Sequence, residues 1–197
     1  MFIISLGGLS ESGKSTAAIY LQSKGFCRIK IIDIENEIMI ERGIIKKNEI
    51  AKEHHFDVLY ENSENTFNEF IFKLRAKLDC SKASYATIES IYRPELSVFL
   101  KNILPNKYLC IYLEVPLKTR IEREYNRLIK DGSDKVKYCH VEKIVKEKDE
   151  FKVKHNAHRI KEIADYIVNN SHSLDSLLQK VDVILKENEV FIERSDC

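Results

Sequence analysis

A chain of 197 residues with 32 Lys plus Arg against 31 Asp plus Glu has a formal net charge of +1, which removes any global electrostatic case for nucleic acid or a membrane surface. Its five cysteines, Cys27, Cys80, Cys110, Cys139 and Cys197, are scattered and form no CxxC pair, so neither a disulfide framework nor a cysteine metal site is expected. No apolar run reaches the roughly 18 residues of a membrane span, and the apolar stretch before the first glycines is too short for a signal peptide, so the sequence reads as one cytoplasmic domain over residues 1–197.

The chain opens with the apolar run Phe2 to Leu6, a short buried strand, and passes through GLSESGKST, Gly8 to Thr16, into a helix that begins at Lys14. Strand, glycines and helix in this order form the context of a phosphate loop. Gly8, four residues, then Gly13-Lys14-Ser15 fits the Walker A spacing, in which backbone N–H groups of Ser10, Glu11, Ser12 and Gly13 and the helix N-terminus surround phosphate oxygens. Lys14 then reaches the outer phosphates, the Ser15 hydroxyl ligates Mg2+, and Thr16 adds a donor to the inner phosphate. ATP is the expected phosphate donor.

Strand-like and helix-like segments alternate through the rest of the chain. Cys27 to Ile32 reads as a second strand ending at Asp33, and Ser63 to Leu78 as a helix whose Phe67, Phe70, Ile71, Leu74 and Leu78 face the core. Ser84 to Ile88 is a third strand ending at Glu89, Tyr108 to Leu113 a fourth ending near Glu114, and Ala164 to Val168 a fifth. A last helix has Leu174, Leu177, Leu178, Val181, Ile184 and Leu185 on one face. No repeat, low-complexity segment or linker interrupts this alternation, which predicts an α/β fold with a parallel sheet covered on both faces. Open parallel sheets bind ligands beyond the carboxyl ends of their strands, where Asp33, Glu89 and Glu114 fall beside the glycine loop.

Three further stretches carry a resemblance: IIDIENEI after the second strand, VPLKTRIEREYNRLIK after the fourth, and ADYIVNNSHSLDSLLQKV at the fifth. Together with the glycine loop, the chain resembles the nucleoside-monophosphate-kinase branch of the P-loop fold, closest in motif to dephospho-CoA kinases. The resemblance implies a three-layer, five-stranded sheet in order 2-3-1-4-5, an acceptor-binding region at about 34–81 and a helical lid at about 120–160. It implies Asp33 near the acceptor hydroxyl, Glu89 as an acid that holds a magnesium-bound water, and Arg93 on the acceptor. Either Asp33 or Glu89 joins Ser15 at the metal. Arg123 and Arg127 match paired lid arginines, and Asn169 with Asn170 lies near adenine. Arg42, Lys46, Lys47, His54 and His55 are the cations of the acceptor region. Glu11 stands where many small kinases have glycine, Glu35 replaces a second aspartate, and Glu89 begins ESIYR where relatives often read Asp-Gly-Ile-Arg.

Several of these residues have plainer readings. Asp33 suits a helix N-cap and Arg93 a solvated position before the helix start at Pro94. Arg120, Arg123 and Arg127, three and four apart, share one helix side whether or not they meet phosphate. Residues 135–161 hold nine Lys or Arg against four Asp or Glu, which suits a lid over polyphosphate and equally an exposed, salt-bridged helix. His155 and His158 lie near Arg159, within reach of the nucleotide or simply on the surface. A GTPase-like switch is disfavoured, since Asn106-Lys107-Tyr108-Leu109 is a poor guanine motif and no DxxG occurs. The expected function is ATP-dependent transfer of the γ-phosphate to a nucleotide or nucleotide-like small molecule. The alternative is a nucleotide-binding protein of kinase fold that acts on nucleic acid or is regulated by it, supported only by the local basic excess. A monomer and a homodimer stay equally open.

Overall fold

The computed structural model describes residues 1–132 and 136–190; residues 133–135 of the expected lid, Lys135 of the basic stretch among them, and Cys197 lie outside the described residues. Five strands, β1 (Phe2–Gly7), β2 (Cys27–Lys30), β3 (Tyr85–Ile91), β4 (Tyr108–Glu114) and β5 (Tyr166–Asn169), form one sheet in the order β2-β3-β1-β4-β5, with every neighbouring pair parallel. The expected order is the observed one.

Nine helices are seen among the described residues: α1 (Lys14–Ser23), α2 (Ile31–Glu41), α3 (Glu53–Leu59), α4 (Ser63–Ser81), α5 (Pro94–Ile103), α6 (Leu117–Lys130), α7 (Tyr138–Lys154), α8 (Ile160–Ile163) and α9 (Leu174–Glu187). None of them is long and apolar enough to cross a membrane.

The central strands β1, β3 and β4 are buried on both faces, so their successive side chains feed two cores. In β4, Tyr108, Cys110 and Tyr112 join the core with Ile34, Ile38, Leu74 and Leu96, while Ile111 and Leu113 join the opposite one with Leu21, Val181 and Leu185. A third, small cluster of Ile121, Val141 and Val145 fastens α6 to α7. Each fully buried aliphatic side chain is worth about 1.5–3 kcal/mol, so this seam is enough to fix the direction of α7.

Three boundaries depart from the sequence expectation. The second strand stops at Lys30, and Ile31 already begins α2, because Ile31, Ile34, Glu35, Ile38 and Met39 bury one helical face. Lys30 is the N-cap of that helix, so Asp33 sits in its first turn and not at the cap. β3 continues through Glu89 to Ile91, which places Glu89 inside a strand, and Asn169 ends β5 where a loop residue was expected.

Candidate active site

The glycine loop turns β1 into α1 by conformations that few residues tolerate. Gly8 has φ 136° and a Cβ there lies 2.6 Å from the Leu113 carbonyl oxygen; Gly13 has φ 97° and a Cβ there lies 2.3 Å from Asn170 Nδ2. Asn170 Nδ2 in turn donates to the Ser12 carbonyl at 2.9 Å. Gly13 caps α1 without a side chain, which leaves the first-turn N–H groups of the helix free to receive an anion. Glu11 adopts φ 57°, the conformation glycine takes at no cost, and its carboxylate pairs with Lys148 Nζ at 3.4 Å.

Lys14 folds back on its own loop: Nζ donates to the Leu9 carbonyl at 2.6 Å and to Ser12 Oγ at 3.2 Å. Burial, and then the neighbouring Lys152 ammonium, push the Lys14 pKa well below the ordinary lysine value; burial also lowers that of Lys152. Both lysines line the cleft over the loop. Ser15 Oγ donates to Glu89 Oε1 at 2.5 Å, while Arg28 reaches Glu89 Oε2 through Nε and Nη2, each at 2.6 Å. A hydroxyl and a carboxylate are the hard oxygen donors that magnesium takes, with water and phosphate oxygens completing the shell. No group of three or more His, Cys, Asp or Glu suited to a metal exists among the described residues, so these two donors are the fit available.

α6 and α7 wall the cleft. Arg120, 4% exposed, donates from Nη1 to the Ser10 carbonyl at 3.0 Å and to Asp149 Oδ2 at 2.6 Å, while Asp149 Oδ1 accepts from Ser10 N at 2.9 Å. This clasp ties α7 to the loop. Arg123 Nη2 donates to the Asn170 carbonyl at 2.6 Å, and Arg127 is paired with Glu124 and Asp131. The three arginines therefore divide: Arg120 braces the loop, and Arg123 and Arg127 line the cleft. The cleft measures 1210 Å³ and draws on Ser10 to Thr16, Phe151, Lys152, Asn170 and His172. Asn169 is not among its lining residues; its side chain accepts from Ser171 N and its carbonyl from Lys180. The basic stretch splits likewise, since Lys143, Lys146 and Lys154 are ion-paired and not among the cleft-lining residues, whereas Lys148 and Lys152 line the cleft.

A second cavity of 360 Å³ is lined by Tyr60, Phe67, Phe70, Tyr92 and Arg93 among others. Beside it Glu35, 1% exposed, accepts hydrogen bonds from both Tyr60, at 2.5 Å, and Tyr92. Burial raises the Glu35 pKa and those of both phenols. Arg93 stacks on Tyr60, with Cζ 3.2 Å from the ring centroid, and donates from Nη2 to His155 Nδ1 at 3.2 Å. The remaining cations of the expected acceptor region lie outside both cavities. Arg42 is spent on Glu69, Thr66 and the Leu59 carbonyl, His55 accepts from Lys52 N, and Lys46, Lys47 and His54 are exposed. Asp33 is exposed in the first turn of α2, three residues beyond Lys30, which pairs with Glu89 in register. His158 is exposed.

Sequence reasoning did not single out Lys152, Arg28, Tyr60 or Tyr92. Lys152 had only its place in a basic stretch to mark it, and Arg28 shares its short strand CRIK with a second cation, Lys30.

No protein-family model and no curated protein matches the chain. Solved structures do. The crystal structure of a Thermus thermophilus protein matches at 16% identity over 94% of this chain and 97% of that one, with a TM-score of 0.60. A shikimate kinase from Acinetobacter baumannii, in complex with shikimate, matches at 18% identity over 97% and 96%, TM-score 0.55. A gluconokinase from Sinorhizobium meliloti matches at 14% identity over 98% of both chains, TM-score 0.51. The fold is that of the P-loop small-molecule kinases. In a P-loop kinase fold, function belongs to the site and not to the scaffold, so activity has to be argued from the two cavities.

Proposed function

We propose that this P-loop protein is an ATP-dependent kinase that transfers the γ-phosphate to a hydroxyl of a nucleotide-like small molecule. One observation carries the reading. Lys14, buried, and Lys152, half-buried, line one cleft over a helix N-terminus that no side chain caps, an arrangement of positive charge that a polyanion would neutralise.

The residues divide the work as phosphoryl transfer needs, chiefly by positioning and by neutralising charge on the phosphate oxygens. Lys14 exchanges the Leu9 carbonyl for β- and γ-phosphate oxygens. N–H groups from Glu11 to Thr16 hold the phosphates, and Lys152 and Arg127 meet them from the α6–α7 side. Ser15 and Glu89 would hold magnesium, which would offset the negative charge of the phosphates. Arg123, Asn170 and His172 also line the cleft, with Asn170 bonded to the loop at Ser12 and Arg123 bonded to Asn170, and they are assigned to the nucleoside part of ATP. Asp33, beyond the carboxyl end of β2, orients the acceptor hydroxyl and takes its proton.

ATP turnover by the purified protein, with and without candidate acceptors, tests this. ADP formation that depends on an added acceptor, with the phosphate recovered on it, is the expected result. ATP binding without transfer to any acceptor would point to a nucleotide-binding role instead.

A further inference from the structure

We infer that the 360 Å³ cavity binds the ring of an uncharged nucleoside, making the acceptor a nucleoside and not a nucleoside monophosphate, a sugar acid or a phosphorylated cofactor. The inference rests on the kinase reading above and names its acceptor class.

Charge is the first argument. Arg93 is the one cation among the described residues lining this cavity, and Glu64 and Glu95 are there as carboxylates. An acceptor that carries a phosphate or carboxylate has to be matched by cations, which here are absent or occupied. Arg93 is already stacked on Tyr60 and bonded to His155, and Arg42 is bonded to Glu69. Two carboxylates instead match N–H groups on a neutral ring.

Shape and polarity point the same way. Tyr60, Phe67, Phe70 and Tyr92 give a planar ring faces and edges to pack against, whereas a polyhydroxylated acid would leave its hydroxyls against apolar walls. The volume falls at the small end of ligand sites and suits one base with part of its sugar. Arg93 Nε is buried and has no hydrogen-bond partner among the described residues. A ring carbonyl or a sugar oxygen would satisfy that donor, where an apolar ligand would leave it unpaired.

The cavity is also correctly placed. Phe151 lines the phosphate cleft, and its ring lies 6.1 Å from the ring of Tyr92, which lines the small cavity. Tyr92 and Phe151 thus bring the walls of the two cavities together, and the sugar is the part of the acceptor that has to reach past them to the γ-phosphate. In the transfer the hydroxyl oxygen bonds to the γ-phosphorus, the bond from γ-phosphorus to the bridging oxygen breaks, ADP leaves, and the hydroxyl proton passes to a base or to water.

The full-length protein with ATP and magnesium is offered the common ribo- and deoxyribonucleosides, their monophosphates, shikimate, gluconate and dephospho-CoA, with products identified by mass. At least one nucleoside should be phosphorylated with a kcat/KM about tenfold or more above any anionic acceptor. Failure of every nucleoside overturns the assignment. If an anionic acceptor works in the same assay, the kinase reading survives that failure; if no acceptor works and ATP does not bind, both fall. Glu64→Gln and Glu95→Gln alter exposed side chains and should leave the fold intact. At least one should raise the KM for the nucleoside about tenfold with the KM for ATP at its parental value. Parental nucleoside KM in both would remove the cavity from acceptor binding.

Discussion

The cleft over the glycine loop and the small aromatic cavity, whose walls approach at Phe151 and Tyr92, differ in nearly every physical respect. The cleft is wide and cationic, and much of it is backbone: a nine-residue loop, a helix N-terminus, and lysines from α1 and α7. The cavity is narrow and aromatic, and it is assembled from side chains of α2, α4, α5 and the segments between elements, with a buried carboxylate shared by two tyrosines behind it. Phosphates present the same oxygens whatever nucleotide bears them, so a contiguous stretch of backbone suffices to hold them. An acceptor is recognised by its own shape and hydrogen-bonding pattern, which takes residues distant in sequence.

Substitutions separate the two regions. The largest effect is expected from Lys14→Ala, which removes a charge-assisted donor from the outer phosphates and should lower phosphoryl transfer roughly a thousandfold while the fold is kept. Circular dichroism and a turnover assay check both halves of that statement. Next comes Asp33→Asn. If Asp33 takes the acceptor proton, turnover should fall about a hundredfold with ATP affinity nearly unchanged. Since Lys30 holds the N-cap, Asp33 otherwise contributes only a first-turn charge worth a few tenths of a kcal/mol, and the variant would then turn over at the parental rate.

Lys152→Ala should weaken ATP binding by roughly tenfold to a hundredfold. It should also shift the alkaline limb of the pH–rate profile upward, because Lys14 loses a like charge that favours its neutral form. An unchanged limb would mean that the two ammonium groups do not interact in solution. The smallest effect concerns the aromatic side. Burial, and then Arg93, push the His155 pKa down to about 4, against roughly 6.5 for an imidazole in the unfolded chain. Between those values the unfolded chain binds more protons, so stability present above about pH 6.5 is lost as the pH falls towards 4. Thermal midpoints should drop more steeply over this interval in the parent than in His155→Asn.

The same division explains what the sequence disclosed. The glycine loop and the alternation of strands and helices were legible because spacing and burial periodicity are local signals, whereas the sheet order, a non-local property, came from the resemblance alone. The Cys27 to Ile32 strand was drawn too long because Ile31 and Ile32 suit strand and helix alike, and only the burial of Ile34 and Ile38 on one face decides for helix. Glu11 stood out in the sequence only as a departure from glycine, because its partner, Lys148, lies far along the chain. Arg120 resembled its neighbours Arg123 and Arg127 in spacing, but a rotation of a few residues along α6 turns it into the loop, where Asp149 receives it. Lys152 was hidden for a related reason: helix periodicity marks which residues share a face, and only the packing of Ile121, Val141 and Val145 tells which face meets the loop.

The central claim is that Lys14 and the loop around it deliver a γ-phosphate to an acceptor hydroxyl. A single turnover with labelled γ-phosphate on ATP, magnesium and the nucleoside panel tests it most directly, in the parent and in Lys14→Ala. The account predicts label on an acceptor hydroxyl in the parent and about a thousandfold slower transfer in the variant. Label released only as inorganic phosphate, or transfer at equal rates in the two proteins, would contradict it.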